Sequence, residues 1–279
     1  MRPKQWTKNG LIFAGIVFDA QLFNLNSLAR VVLAFILLCL MAGTVYIIND
    51  LVDIEKDRQH PKKRNRPLAS GALPVPAGIA AAIVIPLVTL GIAVAYSPPL
   101  AAVLLGYLVL QVAYSFYLKQ IVIIDVFAIT AGFMLRVIAG VVVIEVARFS
   151  PWLYLCAGFL SLFLAVGKRR QELIMLADKA EDVRETYRQY TLPLLDDMLR
   201  LVTTGSVLSY ALYTFEANPQ RPAFLLTIPF VVFGVMRYLY LMHVEGKGGA
   251  PDEVLLEDMP LLVSIVLWGA SVLGVLYLG

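Results

Sequence analysis

Apolar runs close to the roughly 20 residues that carry an α-helix through a hydrocarbon core alternate along this chain with short polar breaks. The pattern predicts helices near residues 9–23, 28–48, 75–96, 99–118, 122–144, 151–167, 201–216, 222–242 and 260–278. The first and seventh are short and have to tilt or lie half-buried. Breaks carry ordinary turn chemistry: Ser97–Pro99, Phe149–Pro151 and Asn218–Pro222. The expectation is an all-α integral membrane protein, one polytopic transmembrane domain over residues 1–279 with about nine spans.

Composition agrees: 59% of the residues are hydrophobic and 15% charged, far from a soluble domain. Cys39 and Cys156 both fall inside apolar runs, so neither a disulfide framework nor a thiol metal site is implied. The basic-then-apolar opening has the order of a signal peptide. Asp19 interrupts it and no small-x-small cleavage site follows cleanly, so it reads as a retained first helix.

The net charge of +3 matters less than where the cations sit. The N-terminus and segments 49–74, 118–121, 168–200 and 243–259 hold 18 of the 23 Lys and Arg. The positive-inside rule places these in the cytoplasm, with 49–74, 168–200 and 243–259 as the long loops. Arg136 and Arg237 lie within or near spans, where a charge is costly and usually faces a polar cavity. Trp6, Trp152 and Trp268 read as interface anchors.

Where the second helix ends, the chain reads YIINDLVDIEKDRQHPKKRNRPLASG, Tyr46 to Gly71. Asp50, Asp53 and Asp57 follow i, i+3, i+7 and share a helical face, which Asn49 joins four residues before Asp53. Like charges repel there, and the carboxyl end of a helix dipole disfavours anions, so a cation should offset the cost. A hard divalent cation such as Mg2+ suits oxygen donors; it takes one or two carboxylates and fills its remaining positions with substrate phosphates and water. Lys56, Arg58, Lys62, Lys63, Arg64 and Arg66 then read as phosphate partners, or else as a basic loop that sets topology and touches anionic lipid.

The stretch NDLVDIEKD resembles the N-D-x-x-D-x-x-x-D motif of the UbiA superfamily of intramembrane prenyltransferases; the following HPKKRNRPLASG and the opening RPKQWTKN, which contains Lys8, are similar too. The resemblance covers essentially the whole chain. It implies a bundle of about nine helices around a central cavity opening to the cytoplasm, with Mg2+ held on a pyrophosphate by the first acidic motif. The chain departs from relatives that prenylate aromatic rings, whose second Asp-rich motif follows the sixth helix. Here that position reads GKRRQEL, with Lys168, Arg169 and Arg170 in place of carboxylates. DKAED, Asp178 to Asp182, is a candidate second motif further along, amid Lys179 and Arg184. One metal-binding cluster and one cationic cluster suit two phosphorylated substrates, since Arg grips phosphate through its fork and Lys acts as a point charge.

YSFYLKQIVIIDVFAITAGFMLRVIAG, GKRRQEL, SYALYTFE and PDEVLLEDMPL together resemble the superfamily's polyprenyl-phosphate phosphoribosyltransferase branch. That resemblance implies transfer of phosphoribose from phosphoribosyl pyrophosphate to polyprenyl (decaprenyl) phosphate in a bacterial inner membrane, on the way to cell-wall arabinan. Asn49, Asp50, Asp53 and Asp57 are the expected metal ligands, with Asp50 and Asp53 catalytic through the metal. Arg66, Lys119, Lys168 and Arg169 are the expected phosphate ligands, and the resemblance adds Lys8, Tyr114 and Tyr190. Glu172, four residues after Lys168, either joins the site or orients that lysine. Lys119 at a helix end either binds substrate or snorkels. Asp125 and Arg136, eleven positions apart on the fifth expected helix, share a face and either line the cavity or pair with other helices. No general base is needed, because a lipid phosphate is already an anion at neutral pH; His60 and His243 read as loop residues. Membrane lipid is an expected partner and nucleic acid is not. A homo-oligomer is compatible with the sequence. Two other functions stay open: aromatic prenylation with DKAED as second motif, and a transporter or scaffold whose charges bind anions without chemistry.

Overall fold

The computed structural model describes every residue except 1–2, 60–62, 145, 147–149, 177–184, 217–221, 248, 250 and 279. A 3-10 helix, Pro3–Phe13, leads into α1 (Ala14–Phe18). There follow α2 (Leu25–Val52), α3 (Ile54–Gln59), α4 (Val75–Tyr96), α5 (Pro98–Phe116), α6 (Ile124–Val141), α7 (Pro151–Leu176), α8 (Leu192–Glu216), α9 (Ile228–His243), α10 (Pro251–Glu257) and α11 (Met259–Tyr277). Among the described residues there is no strand.

Seven of these helical segments are long and apolar enough to cross a membrane: α2, α4, α5, α6, α7, the run Pro222–His243 that ends in α9, and α11. The other two predicted spans take different forms. Residues 9–18 fall on the 3-10 helix and the five-residue α1, and 19–23 on the turn that follows. Residues 201–216 are the second part of α8, whose first part carries Asp196, Asp197 and Arg200.

The helices group into two compact units, Met1–Phe116 with Leu135–Ala147, and Tyr117–Met134 with Arg148–Gly279. In the first, α2 is central: Val31, Ala34, Leu38 and Met41 are fully buried against Ile12, Ile16, Leu100 and Leu104. The end of α6 comes very close to the N-terminal 3-10 helix. A Cβ at Gly140 would lie 1.8 Å from the Ile12 carbonyl oxygen, so only glycine fits there. By contrast α4 leaves Ile79, Ile83, Leu87 and Val94 exposed, the apolar surface a lipid-facing helix presents.

In the second unit α7 packs along α8, and the fit is close enough that a Cβ at Gly205 would meet the Phe159 ring at 2.9 Å. Phe163, Val166, Leu195, Leu199, Leu241 and Leu261 form the core, which Tyr190 joins from the segment before α8. Asp258 starts α11 by accepting from the Leu261 N–H at 2.9 Å, and the Arg237 guanidinium grips the same carboxylate through Nε at 3.0 Å and Nη2 at 2.7 Å.

Candidate active site

The acidic motif straddles a helix end. α2 stops at Val52, and Asp53 caps it, with φ −95° and ψ 11° and its N–H donating to the Asn49 carbonyl. Asp57 therefore belongs to α3, although its N–H still reaches the Asp53 carbonyl at 2.8 Å. A positive charge beside two of these carboxylates comes from Arg66. Its Nη1 donates to Asp50 Oδ1 at 3.1 Å and to Asp57 Oδ2 at 2.5 Å. Asp57 is buried, and a charge at that depth is costly to leave unpaired.

Arg66 is placed by its loop. Leu68 and Ala69 are buried, Arg58 Nε donates to the Ala69 carbonyl at 3.3 Å, and the Leu73 N–H closes on the Pro67 carbonyl at 2.8 Å. Gly71, at φ +79°, makes the left-handed turn this closure requires. The start of α4 seals the loop: a Cβ at Gly78 would meet Leu68 at 2.8 Å and Leu51 at 3.2 Å. Between loop and helix lies a cavity of about 170 Å³, lined by Tyr46, Ile47, Asp50, Arg66, Pro67, Leu68 and Leu73. Among the described residues no three His, Cys, Asp or Glu are grouped to cage a metal by themselves.

The second charged group lies in the other unit. Asp125, at the start of α6, is 0% exposed and accepts from Arg169 Nε at 2.7 Å and from the Tyr190 hydroxyl at 2.6 Å. The same hydroxyl accepts the Ile123 N–H at 2.8 Å. Ile123 has φ +70°, a conformation costing a β-branched residue roughly 1–3 kcal/mol and held only where the surroundings impose it. Burial, then the hydrogen bond to Asp125, push the Tyr190 phenol well above the ordinary tyrosine range, so it stays a donor. Arg169 also donates to Glu172, whose other oxygen lies 4.0 Å from Lys168 Nζ. Arg170 donates to Asp196 at 2.6 Å, and His243 Nε2 lies 3.4 Å from that carboxylate.

The three successive cations of GKRRQEL are thus not equivalent. Arg169 and Arg170 are matched by carboxylates from α6 and α8, while Lys168 stands 43% exposed. Arg136 pairs with other elements. Its Nε donates to Asn9 Oδ1 at 2.9 Å, its Nη2 to the Tyr107 hydroxyl at 2.9 Å, and Asn9 Nδ2 donates to Cys39 Sγ at 3.2 Å. Lys8 is half-buried on the N-terminal 3-10 helix, Tyr114 half-buried near the end of α5, and Lys119 half-buried on the turn Leu118–Gln120. DKAED lies outside the described residues, as do His60 and Lys62. Sequence reasoning missed Asn9 and Tyr107; a polar residue ending a basic stretch and a tyrosine within an apolar run are weak signals of a shared buried arginine.

The UbiA prenyltransferase family model matches residues 11–250. A protein of Corynebacterium glutamicum named decaprenyl-phosphate phosphoribosyltransferase is 36% identical over 290 aligned positions, covering 100% of this chain and 86% of its own. One of the same name from Mycobacterium tuberculosis is 32% identical over 281, covering 98% of this chain and 91% of its own. Among solved structures, a UbiA homolog from Archaeoglobus fulgidus bound to DMAPP and Mg2+ superposes with a TM-score of 0.71 at 19% identity, over 99% of this chain and 96% of that one. The same homolog bound to GPP and Mg2+ gives the same score. The acidic motif closing α2, the all-helical fold and the match along most of the sequence lead to one conclusion: the chain belongs to the UbiA prenyltransferase family.

Proposed function

We propose that the protein transfers 5-phosphoribose from phosphoribosyl pyrophosphate to a polyprenyl phosphate, decaprenyl phosphate being the lipid in its relatives' names, with release of pyrophosphate. The observation that carries this reading is the charge pattern at the end of α7. Lys168 is the open cation there, and the carboxylates of Asp125, Glu172 and Asp196 are engaged by arginines. A second metal-binding acidic cluster has no carboxylate to spare among these, whereas a single lipid phosphate needs a cation. The near full-length identity with proteins of that name points the same way.

In this reading Asn49, Asp50, Asp53 and Asp57 would hold Mg2+, which neutralises charge on the leaving pyrophosphate. Arg66, which lines the same cavity as Asp50, turns from the carboxylates towards the diphosphate oxygens. Lys168 orients the lipid phosphate. An oxygen of that phosphate attacks the anomeric carbon, the bond from that carbon to the pyrophosphate oxygen breaks on the opposite face, and configuration inverts. The nucleophile is already an anion, so positioning and charge stabilisation supply the acceleration without a general base. The reading includes nine crossings, with residues 9–23 and 201–216 as the two beyond the seven apolar ones, a cytoplasmic N-terminus and active site opening to that side, and a bacterial inner membrane. The product would feed cell-wall arabinan synthesis.

Purified protein incubated with labelled phosphoribosyl pyrophosphate, Mg2+ and polyprenyl phosphate should yield a labelled lipid. A prenylated aromatic acceptor formed from a prenyl diphosphate, with no labelled lipid, would establish the other family chemistry instead.

A further inference from the structure

We propose that Asp125 is the positioning residue for the phosphate-binding end of α7: it holds Arg169, Arg169 holds Glu172, and Glu172 sets the place of Lys168. The proposal rests on Lys168 contacting the lipid phosphate, as read above. Four observations lead to it, and none depends on a bound ligand.

The first is a gradient of burial along one connected chain of charges. Asp125 is 0%, Arg169 2% and Tyr190 3% exposed, while Glu172 reaches 29% and Lys168 43%. A charge group meant only to pin helices would close on itself inside the core; this one runs outward and ends on an open ammonium.

The second is how the inner carboxylate is held. One Asp125 oxygen takes Arg169 Nε at 2.7 Å and the other takes the Tyr190 hydroxyl at 2.6 Å, so neither the carboxylate nor the guanidinium can turn without breaking a charge-assisted bond. Arg169 thereby sits between two carboxylates, Asp125 and Glu172, and acts on the site through Glu172.

The third is backbone strain at the inner end. Ile123 keeps a φ of +70° while its N–H is bound to the Tyr190 hydroxyl, and the neighbouring Asp125 accepts from that hydroxyl. Strain of this kind persists where surrounding contacts over-determine the geometry, and it gathers at sites whose geometry matters.

The fourth is reach. The links join α6, the segment before α8, and α7 across 44 and 65 residues of sequence, so they set the orientation of the end of α7 relative to α6. Half an ångström there matters to a group that must meet a phosphate oxygen.

A double-mutant cycle in the full-length, detergent-purified protein tests this, reading KM for each substrate and thermal unfolding. Asp125→Asn keeps the shape and removes the charge; Arg169, with its buried carboxylate weakened, then pulls harder on Glu172 and draws it from Lys168. KM for polyprenyl phosphate should rise roughly tenfold with Asp125→Asn and with Lys168→Ala, and the double variant should be no worse than Lys168→Ala. KM for phosphoribosyl pyrophosphate should stay unchanged in all three. Tyr190→Phe, which removes one hydroxyl, should raise the same KM by a smaller factor and serves if Asp125→Asn does not fold. Asp258→Asn, which loosens the Arg237 pair, is the control that lowers the unfolding temperature without touching either KM. Effects that multiply in the double variant, a Lys168→Ala enzyme with wild-type KM, or variants at Asp125 and Tyr190 that lose stability alone would each overturn the inference. A wild-type protein that makes no phosphoribosyl lipid would overturn the function reading instead, and the two failures are read in separate tubes.

Discussion

Residues of the same type, adjacent in sequence, have different jobs here. Lys168 and Arg169 look interchangeable as cations, yet Arg169 is buried against Asp125 and Lys168 is open. Arg169→Ala leaves a buried carboxylate without its guanidinium and should cost about 3–5 kcal/mol, seen as a lower midpoint in thermal or denaturant unfolding. Lys168→Ala should leave that midpoint in place and weaken use of the lipid phosphate. Equal midpoints in the two variants would mean that the Asp125 pair contributes nothing. At the acidic motif the expectation is the reverse: Asp50→Asn or Asp53→Asn should lower turnover at least about a hundredfold with the fold intact. Asp53 caps α2 through its backbone N–H, which Asn retains, and removing one carboxylate relieves like-charge repulsion. Wild-type turnover in both variants would remove the metal assignment.

At the scale of elements, helix ends and close approaches place the chemistry. α2 ends beneath the acidic motif, and the loop that follows folds back so that Arg66 meets Asp50 and Asp57. The end of α6 is held where it is by its contact with the N-terminal 3-10 helix at Gly140, and the same stretch of α6 carries Arg136 to Asn9. Gly140→Ala sets a methyl against a backbone carbonyl that no rotamer change can move. Its cost should exceed the roughly 1–3 kcal/mol of ordinary overpacking, and little folded protein should survive extraction by size-exclusion chromatography. Gly10→Ala, with nothing within 4 Å of its added methyl, is the matched control and should behave as wild type. A Gly140→Ala protein as stable as that control would show that the helix can withdraw freely.

For the whole molecule the testable quantity is orientation in the bilayer. The distribution of Lys and Arg predicts that Lys63 faces the cytoplasm and the turn at Ser97 the opposite side. Both native cysteines are buried, so single introduced thiols can be read against them. In intact cells a membrane-impermeant maleimide should label Ser97→Cys and spare Lys63→Cys; in inverted vesicles the pattern should exchange. Labelling of Lys63→Cys from outside would reverse the topology and move the acidic motif to the wrong side for a cytoplasmic sugar donor.

Most of the fold was legible in the sequence, because a bilayer demands long apolar helices and leaves their signal unmixed with alternatives. The seven apolar spans, the acidic motif at the end of α2 and the cation run at the end of α7 all follow from local pattern. Local pattern also asked for a cation beside Asp50, Asp53 and Asp57 and suggested Mg2+, but did not single out Arg66 from the six cations that follow as the one that meets Asp50 and Asp57. The pairings were decided only by the tertiary structure: Arg66 with Asp50 sixteen residues away, Arg169 with Asp125 forty-four away, Tyr190 with Asp125 sixty-five away, and Arg136 with Asn9 one hundred and twenty-seven away. Helical periodicity reports neighbours three and four positions apart. A charge in a low-dielectric interior instead takes whichever partner packing brings within about 3 Å, and that choice separates the buried Arg169 from the half-exposed Lys168.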